Sequence, residues 1–331
     1  MNNKVAVIGG GSFGTSLATL AARDGREVVM YVREPEIVTA INEAHVNPIF
    51  LPDTFLPNNL KAKSMDDLYN AEEEYIIWSV PSQFTRSMAK QYKDVLQNKH
   101  ILLATKGVEI ATGSLMLHVI ENEVKATFSV LSGPSFAKDL AKQKPTLVAI
   151  ASHTEEEAAW WQRTLSCDYF RVYTNNDMIG LEVGGAIKNI IAIATGISDG
   201  LEFDNNARAA LITRGLVEIT KFGMAYGAKQ ETFTGLSGLG DLVLTCTGEQ
   251  SRNYTVGKLI AQGKDIDEIS QSMNMVAEGV PTAKAVYLSS KEKGIEMPIC
   301  EEVYKIVYER KDPRESVRDL MNRPLKSEIF K

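Results

Sequence analysis

Three cysteines in 331 residues, Cys167, Cys246 and Cys300, are too few and odd in number for a disulfide framework, and none sits at metal-ligand spacing. They imply reduced thiols and a cytoplasmic setting. Positive charge is also in deficit: 36 Lys and Arg against 42 Asp and Glu give a net charge of −6. That balance excludes a general nucleic-acid or anionic-membrane surface, so any anion site must be a local basic cluster. No run approaches the ~18 uninterrupted apolar residues that mark a membrane helix, so no stable membrane insertion is expected. A strand-like run begins at Lys4, which leaves no space for a cleaved leader. Internal repeats, low-complexity tracts and a Gly/Ser linker are absent.

What is present has an ordinary globular composition, 44% hydrophobic and 24% charged, in a chain long enough for two cores. "KVAVIGG" (4–10) is a short β-branched run ending in glycine, as a buried parallel strand should be. "REVVMYV", "YIIWSV", "HILLAT" and "FSVLSG" repeat that texture, with helix-like stretches between them, for example 87–96 and 114–124. Alternation of this kind predicts an α/β fold with a doubly wound, Rossmann-type parallel sheet. "TLVAIAS" and "YFRVYT" extend the sheet, and the proline-containing 47–59 stretch reads as an irregular loop. From Asn176 the texture turns helical, with helices expected over 179–198, 206–226, 254–262, 267–272, 281–293 and 298–309. The expected division is a nucleotide-binding domain over 1–178 and an all-helical domain over 179–331. Arg214 and Glu218, four apart on one of those helices, read as a surface pair.

"GGGSFG" places Gly9, Gly11 and Gly14 in G-x-G-x-x-G spacing between a strand and a helix. Gly9 permits the tight turn, Gly11 lets backbone approach a pyrophosphate, and Gly14 allows close helix–strand packing. The helix start then faces the phosphates with free amides and the positive end of its dipole. At the end of the second strand stands Arg33, where an NAD site usually carries a carboxylate. A guanidinium pairs with a 2′-phosphate, so NADP(H) is preferred; Glu34 next to it leaves room for NAD(H), and a solvated surface arginine is the plainer alternative.

In an open α/β sheet, ligands gather beyond the carboxyl ends of the strands. There this chain has Pro81 and Ser82, then Lys106, then Gly133, Ser135 and Ala137. Lys106 is either a strand-end charge or a holder of an anionic substrate. In the helical part, Lys188 is the only charge between Val183 and Ser198. On a helix wheel it shares a strip with Gly184, Gly185, Ala192, Thr195 and Gly196, a floor of small side chains that leaves room for something else. The plain alternative is a packing face with a lysine reaching to water. Further on, "GLSGLGDLVLTCTGEQSRN" leads through Asp241 and Thr245 to Ser251, Arg252 and Asn253 at a helix entrance. That entrance is either a phosphate cradle or an N-cap with a surface arginine.

Together "GGGSFGTSLA", "ATKG", "SGPSFAK", "GGAIKNIIAIATGISDG", "ALITRG" and "GLGDLVLTCT…SRN" resemble bacterial NAD(P)-dependent glycerol-3-phosphate dehydrogenases over nearly the whole chain. The resemblance implies interconversion of dihydroxyacetone phosphate and sn-glycerol 3-phosphate for phospholipid synthesis, and a homodimer. By position it makes Lys188 the proton acceptor. It makes Lys106, Gly133, Ser135, Lys188, Asp241, Ser251, Arg252 and Asn253 substrate residues. Ser12, Phe13, Arg33, Lys106, Ala137, Arg252, Val276 and Glu278 match dinucleotide positions. Burial and Lys106 would lower the Lys188 pKa while Asp241 opposes, with Thr245 and Asn189 tethering the lysine or the substrate. Rival readings are another two-domain reductase of a hydroxy acid or keto acid, and a catalytically silent NADPH sensor.

Overall fold

The computed structural model describes residues 4–272, 277–325 and 327–328. Ten strands occur among them: β1 (Val5–Ile8), β2 (Val28–Val32), β3 (Val46–Asn47), β4 (Leu51–Phe55), β5 (Leu60–Ser64), β6 (Tyr75–Trp78), β7 (His100–Leu103), β8 (Thr127–Ser132), β9 (Thr146–Ser152) and β10 (Phe170–Asn175). Eight form one sheet in the order β10-β9-β8-β7-β6-β1-β2-β5. The strands are added outward in one direction from β1 to β2 and in the other from β6 to β8, and this switch in strand order puts a crevice beyond the carboxyl end of β1.

The sheet is not parallel throughout, because β8 and β9 pair antiparallel. The link between them contains only the five-residue helix Ala137–Ala141. The chain turns back without crossing over the sheet, so β9 begins beside the end of β8, with Ser132 opposite Ala149 and Ser129 opposite Ser152. β5, with Leu60 and Ala62 buried and Lys61 and Lys63 outward, is an additional edge strand. The 47–59 stretch is not irregular throughout either, since β3 and β4 form a two-stranded ribbon.

The helical part is organised around Met178–Gly200, the central helix. Asp177 caps it by accepting the Gly180 N–H at 2.8 Å, and its other oxygen takes the Lys229 N–H and the Thr232 hydroxyl. This is the one described helix long and apolar enough to cross a membrane, but 83% of its most apolar window is buried inside the protein. It is a core helix. Its small residues serve mainly to bring main chains together. A Cβ on Gly196 would collide with the Tyr254 carbonyl, and one on Gly184 with that of Ser237. The floor beside Lys188 is therefore largely filled by neighbouring backbone; only Gly185 opens towards Ser132 and the stem of Lys106.

Two buried carboxylates cap neighbouring helices. Glu182, on the central helix, accepts the Leu117 N–H at 2.9 Å in the first turn of Met116–Glu121, and burial pushes its carboxyl up to about 8. Glu218 is not half of a surface pair. It is 4% exposed and accepts the N–H groups of Ile299 (2.7 Å) and Cys300 (3.1 Å) at the start of Pro298–Glu309, while Arg214 donates to the Glu328 carbonyl at 3.1 Å. Burial raises the Glu218 carboxyl from 4.5 to about 7 against those two amides.

A carboxyl whose folded pKa exceeds its unfolded value holds its proton more tightly when folded. Its contribution to stability is intact below the unfolded pKa and is lost as pH rises through the folded one. Glu218→Gln removes this titration. Compared with the parent, its thermal midpoint should therefore improve between about pH 5 and about pH 8. A pH-independent difference would show that Glu218 does not titrate in the folded chain.

Candidate active site

The crevice at the end of β1 is formed by the glycine loop. Gly9 has φ +117°, and a Cβ there would lie 2.5 Å from the Ser79 carbonyl oxygen. A Cβ on Gly14, in the first turn of helix Ser12–Ala22, would lie 2.5 Å from the Gly9 carbonyl oxygen. Gly11 differs: nothing lies within 4 Å of its would-be Cβ, so its backbone faces open space. Ser12 donates its hydroxyl to the Phe50 carbonyl at 2.6 Å. The Phe13 ring lies 5.7 Å from the Lys106 ammonium, joining the loop to the end of β7. Ala137 is drawn to the same helix, its carbonyl accepting the Ser16 hydroxyl at 3.0 Å. Arg33 follows β2 with an exposed side chain that pairs with Glu34 at 2.6 Å. Val276 lies outside the described residues.

Across the crevice, one carboxylate serves two lysines. Lys188 donates to Asp241 Oδ1 at 2.5 Å and to Thr245 Oγ1 at 2.7 Å; Lys106 donates to Asp241 Oδ2 at 2.8 Å and reaches the Gly133 carbonyl at 3.5 Å. Thr245 gives its own proton to the Asp241 backbone carbonyl at 2.7 Å, so a hydroxyl lone pair is left to face the lysine. Lys188 and Asp241 are buried. Burial lowers the Lys188 pKa from 10.5 to about 8; Asp241 opposes that shift and the Lys106 charge adds to it. Cys246, next along the helix Asp241–Thr247, has its thiol pushed up to about 12 by burial and stays neutral beside them.

Gly133 has φ +143°, and a Cβ there would sit 2.9 Å from Val148 Cα. Its carbonyl also accepts the Ser135 hydroxyl at 3.0 Å. Ser251 is the N-cap of helix Arg252–Ala261, accepting the Tyr254 N–H at 3.2 Å. Arg252, the first residue of that helix, is solvent-exposed, yet burial among surrounding groups lowers its pKa while Glu278 opposes. A side chain open to water but crowded by protein lines a cleft. Asn253 is mostly committed elsewhere: it donates to Asn189 Oδ1 at 3.0 Å and accepts the Gly279 N–H at 2.9 Å. Asn189 thus holds Asn253 and not Lys188. Glu278 accepts both the N–H (3.0 Å) and the hydroxyl (2.5 Å) of Ser82, so it ties the helical part to the end of β6. That link was not visible in the spacing, because the partners are 196 residues apart.

Two family models cover most of the chain: the N-terminal part of the NAD-dependent glycerol-3-phosphate dehydrogenases matches residues 4–158, and the C-terminal part matches 177–318. The chain belongs to the NAD-dependent glycerol-3-phosphate dehydrogenase family. Among similar proteins is a glycerol-3-phosphate dehydrogenase [NAD(P)+] of Maridesulfovibrio salexigens, 47% identical over 98% of this chain and 100% of that protein. One from Leptospira biflexa is 47% identical over 98% of this chain and 99% of its own length. The crystal structure of glycerol-3-phosphate dehydrogenase from Coxiella burnetii superposes with a TM-score of 0.92 at 40% identity, covering 97% of this chain and 99% of that one. The doubly wound sheet followed by an all-helical part is therefore a family architecture.

Within this cluster Asp241 holds two ammonium groups at once. Asp241→Asn leaves them facing each other without a counter-ion, which should cost about 3–5 kcal/mol while both are protonated. The loss should shrink as pH rises towards about 8, because without the opposing Asp241 charge Lys188 gives up its proton at lower pH than in the parent. Thermal unfolding against pH reads both; an equal loss at every pH would deny that Lys188 is charged beside Asp241.

Proposed function

We propose that the protein is a cytoplasmic NAD(P)-dependent glycerol-3-phosphate dehydrogenase that interconverts dihydroxyacetone phosphate and sn-glycerol 3-phosphate and supplies phospholipid synthesis. The observation that carries the reading is the Lys188–Asp241–Lys106 cluster at the mouth of a glycine-loop crevice. The open backbone at Gly11, with Gly9 and Gly14 closing the turn, fits a dinucleotide pyrophosphate. When bound, the nicotinamide supplies the hydride acceptor or donor at the substrate C2. Ser12, Phe13, Lys106, Ala137, Arg252, Val276 and Glu278 complete the dinucleotide side. Arg33 favours NADP(H) through the 2′-phosphate, with NAD(H) also used.

Lys188 does the proton chemistry. Its lowered pKa leaves an appreciable neutral fraction near neutral pH, so it can take the proton of the C2 hydroxyl as hydride leaves that carbon. In the reverse direction its ammonium gives the proton to the nascent alkoxide. Asp241 and Thr245 fix the amine in place while this happens. Lys106, Gly133 and Ser135 hold the substrate from the sheet edge. Ser251, Arg252 and the amide hydrogen that Asn253 still has to offer receive the phosphate at a helix entrance. Binding there positions the reacting carbon, remote from the charge that is gripped. The division of labour falls near residue 178, with the nucleotide part before it and the substrate part after it, and the assembly is a homodimer.

Lys188→Met should lower kcat by roughly 10²- to 10⁴-fold while leaving NADPH binding intact. Oxidation by the parent should rise with pH through about 8, where Lys188 loses its proton, and ketone reduction should fall over the same range. The first measurement is absorbance-monitored oxidation of NADPH and NADH with dihydroxyacetone phosphate and with dihydroxyacetone. Turnover confined to the phosphorylated ketone is expected. Near-normal turnover by a folded Lys188→Met variant would remove the lysine from its role.

A further inference from the structure

The glycine loop is supported from behind by a residue outside its motif. Asn47, at the end of β3, is 0% exposed. Its side-chain nitrogen donates to the Gly10 carbonyl at 2.8 Å and to Thr15 Oγ1 at 2.9 Å, and its side-chain oxygen accepts the Phe50 N–H at 3.1 Å. Thr15 passes its own proton to the Gly11 carbonyl at 3.0 Å. Ser12 donates to the Phe50 carbonyl, so the β3–β4 ribbon grips the loop at both Gly10 and Ser12.

These bonds have a directional consequence. No peptide bond among the described residues is cis, and in a trans peptide the C=O and N–H point opposite ways. Holding the Gly10 carbonyl towards Asn47 turns the Gly11 N–H away from it. The Gly11 carbonyl is held towards Thr15 by both that residue's backbone N–H (2.9 Å) and its hydroxyl (3.0 Å), which does the same for the Ser12 N–H. Beside these two donors nothing lies within 4 Å of a would-be Cβ on Gly11, which leaves room for a ligand to approach the backbone. Only an amide side chain offers Asn47's combination, two donors for the loop and one acceptor for the ribbon.

We infer that Asn47 is a positioning residue for the dinucleotide: with Thr15 it sets the Gly10–Gly11 and Gly11–Ser12 peptide planes so that their N–H groups meet the pyrophosphate. The inference rests on the reading of the loop as a dinucleotide site. Because the pyrophosphate is common to NADPH and NADH, loss of the support weakens both by one factor and leaves the ketone end of the cleft alone.

The test is fluorescence titration of the full-length protein with NADPH and with NADH, for the parent, Asn47→Asp, Thr15→Val and Thr15→Ser. Asn47→Asp keeps the shape and replaces two donors by acceptors; it should raise both dissociation constants by about tenfold or more. The ratio between them should stay fixed, as should the KM for dihydroxyacetone phosphate at saturating dinucleotide. Thr15→Val should act in the same sense and Thr15→Ser should restore binding. If Asn47→Asp does not fold, the Thr15 pair decides. Unchanged affinity in a folded variant, a loss confined to one dinucleotide, or a parallel loss in the ketone KM would each overturn the assignment. A parent that binds neither dinucleotide would refute the reading of the loop itself.

Discussion

One buried carboxylate, Asp241, holds the site together. It receives Lys106 from the end of the sheet and Lys188 from the central helix on its two oxygens. Neither lysine is tolerable in that position alone, because a desolvated ammonium without a counter-charge costs several kcal/mol. The surrounding backbone is shaped to deliver the carboxylate there. A single π-helical turn, Leu236–Gly240, immediately precedes Asp241. The turn packs so closely that Gly184 must lack a side chain to admit the Ser237 carbonyl, and Gly238 to admit that of Phe233.

The same arrangement adjusts Lys188 by competition between two effects of opposite sign. Burial and the neighbouring Lys106 charge destabilise its ammonium, and the Asp241 charge restores part of what they remove. Without the carboxylate the group would be neutral and loosely held; without the burial it would be an ordinary surface lysine, charged throughout the physiological range. Thr245 adds direction rather than charge, since its proton is already given to the helix. A value of about 8 is the outcome of this balance.

Much of this was legible in the sequence because it is written in local patterns. Short apolar, β-branched or aromatic runs such as "VAVI" and "YIIW", alternating with helix-like stretches, mark buried strands, and a lysine stranded among Ile190, Ile193 and Ile197 signals something to be paired. The features that escaped depend on partners far along the chain. The Arg214 and Glu218 spacing suits a surface pair, but the amides that claim Glu218 lie 81 and 82 residues away. β5 alternates Leu60 and Ala62 with Lys61 and Lys63, too short and charged a pattern to distinguish a strand from a loop. The reversal at β9 has no signature in the strand pattern, which reads alike for parallel and antiparallel pairing, and the ribbon that carries Asn47 was disguised as a loop by its prolines.

The contact between the central helix and helix Arg252–Ala261 is made by main chain on main chain, at Gly196 and Gly257. Side chains in a core hop between rotamers, but backbone seated on backbone has no such freedom. Lys188 and Arg252 are carried by the two helices joined in this way, so their anchoring points are separated by a rod and not a spring. If Lys188 transfers the proton and Arg252 grips the anion, as proposed, the distance between them behaves as a ruler. It then measures how many carbons lie between the oxidised centre and the phosphate of whatever enters the cleft.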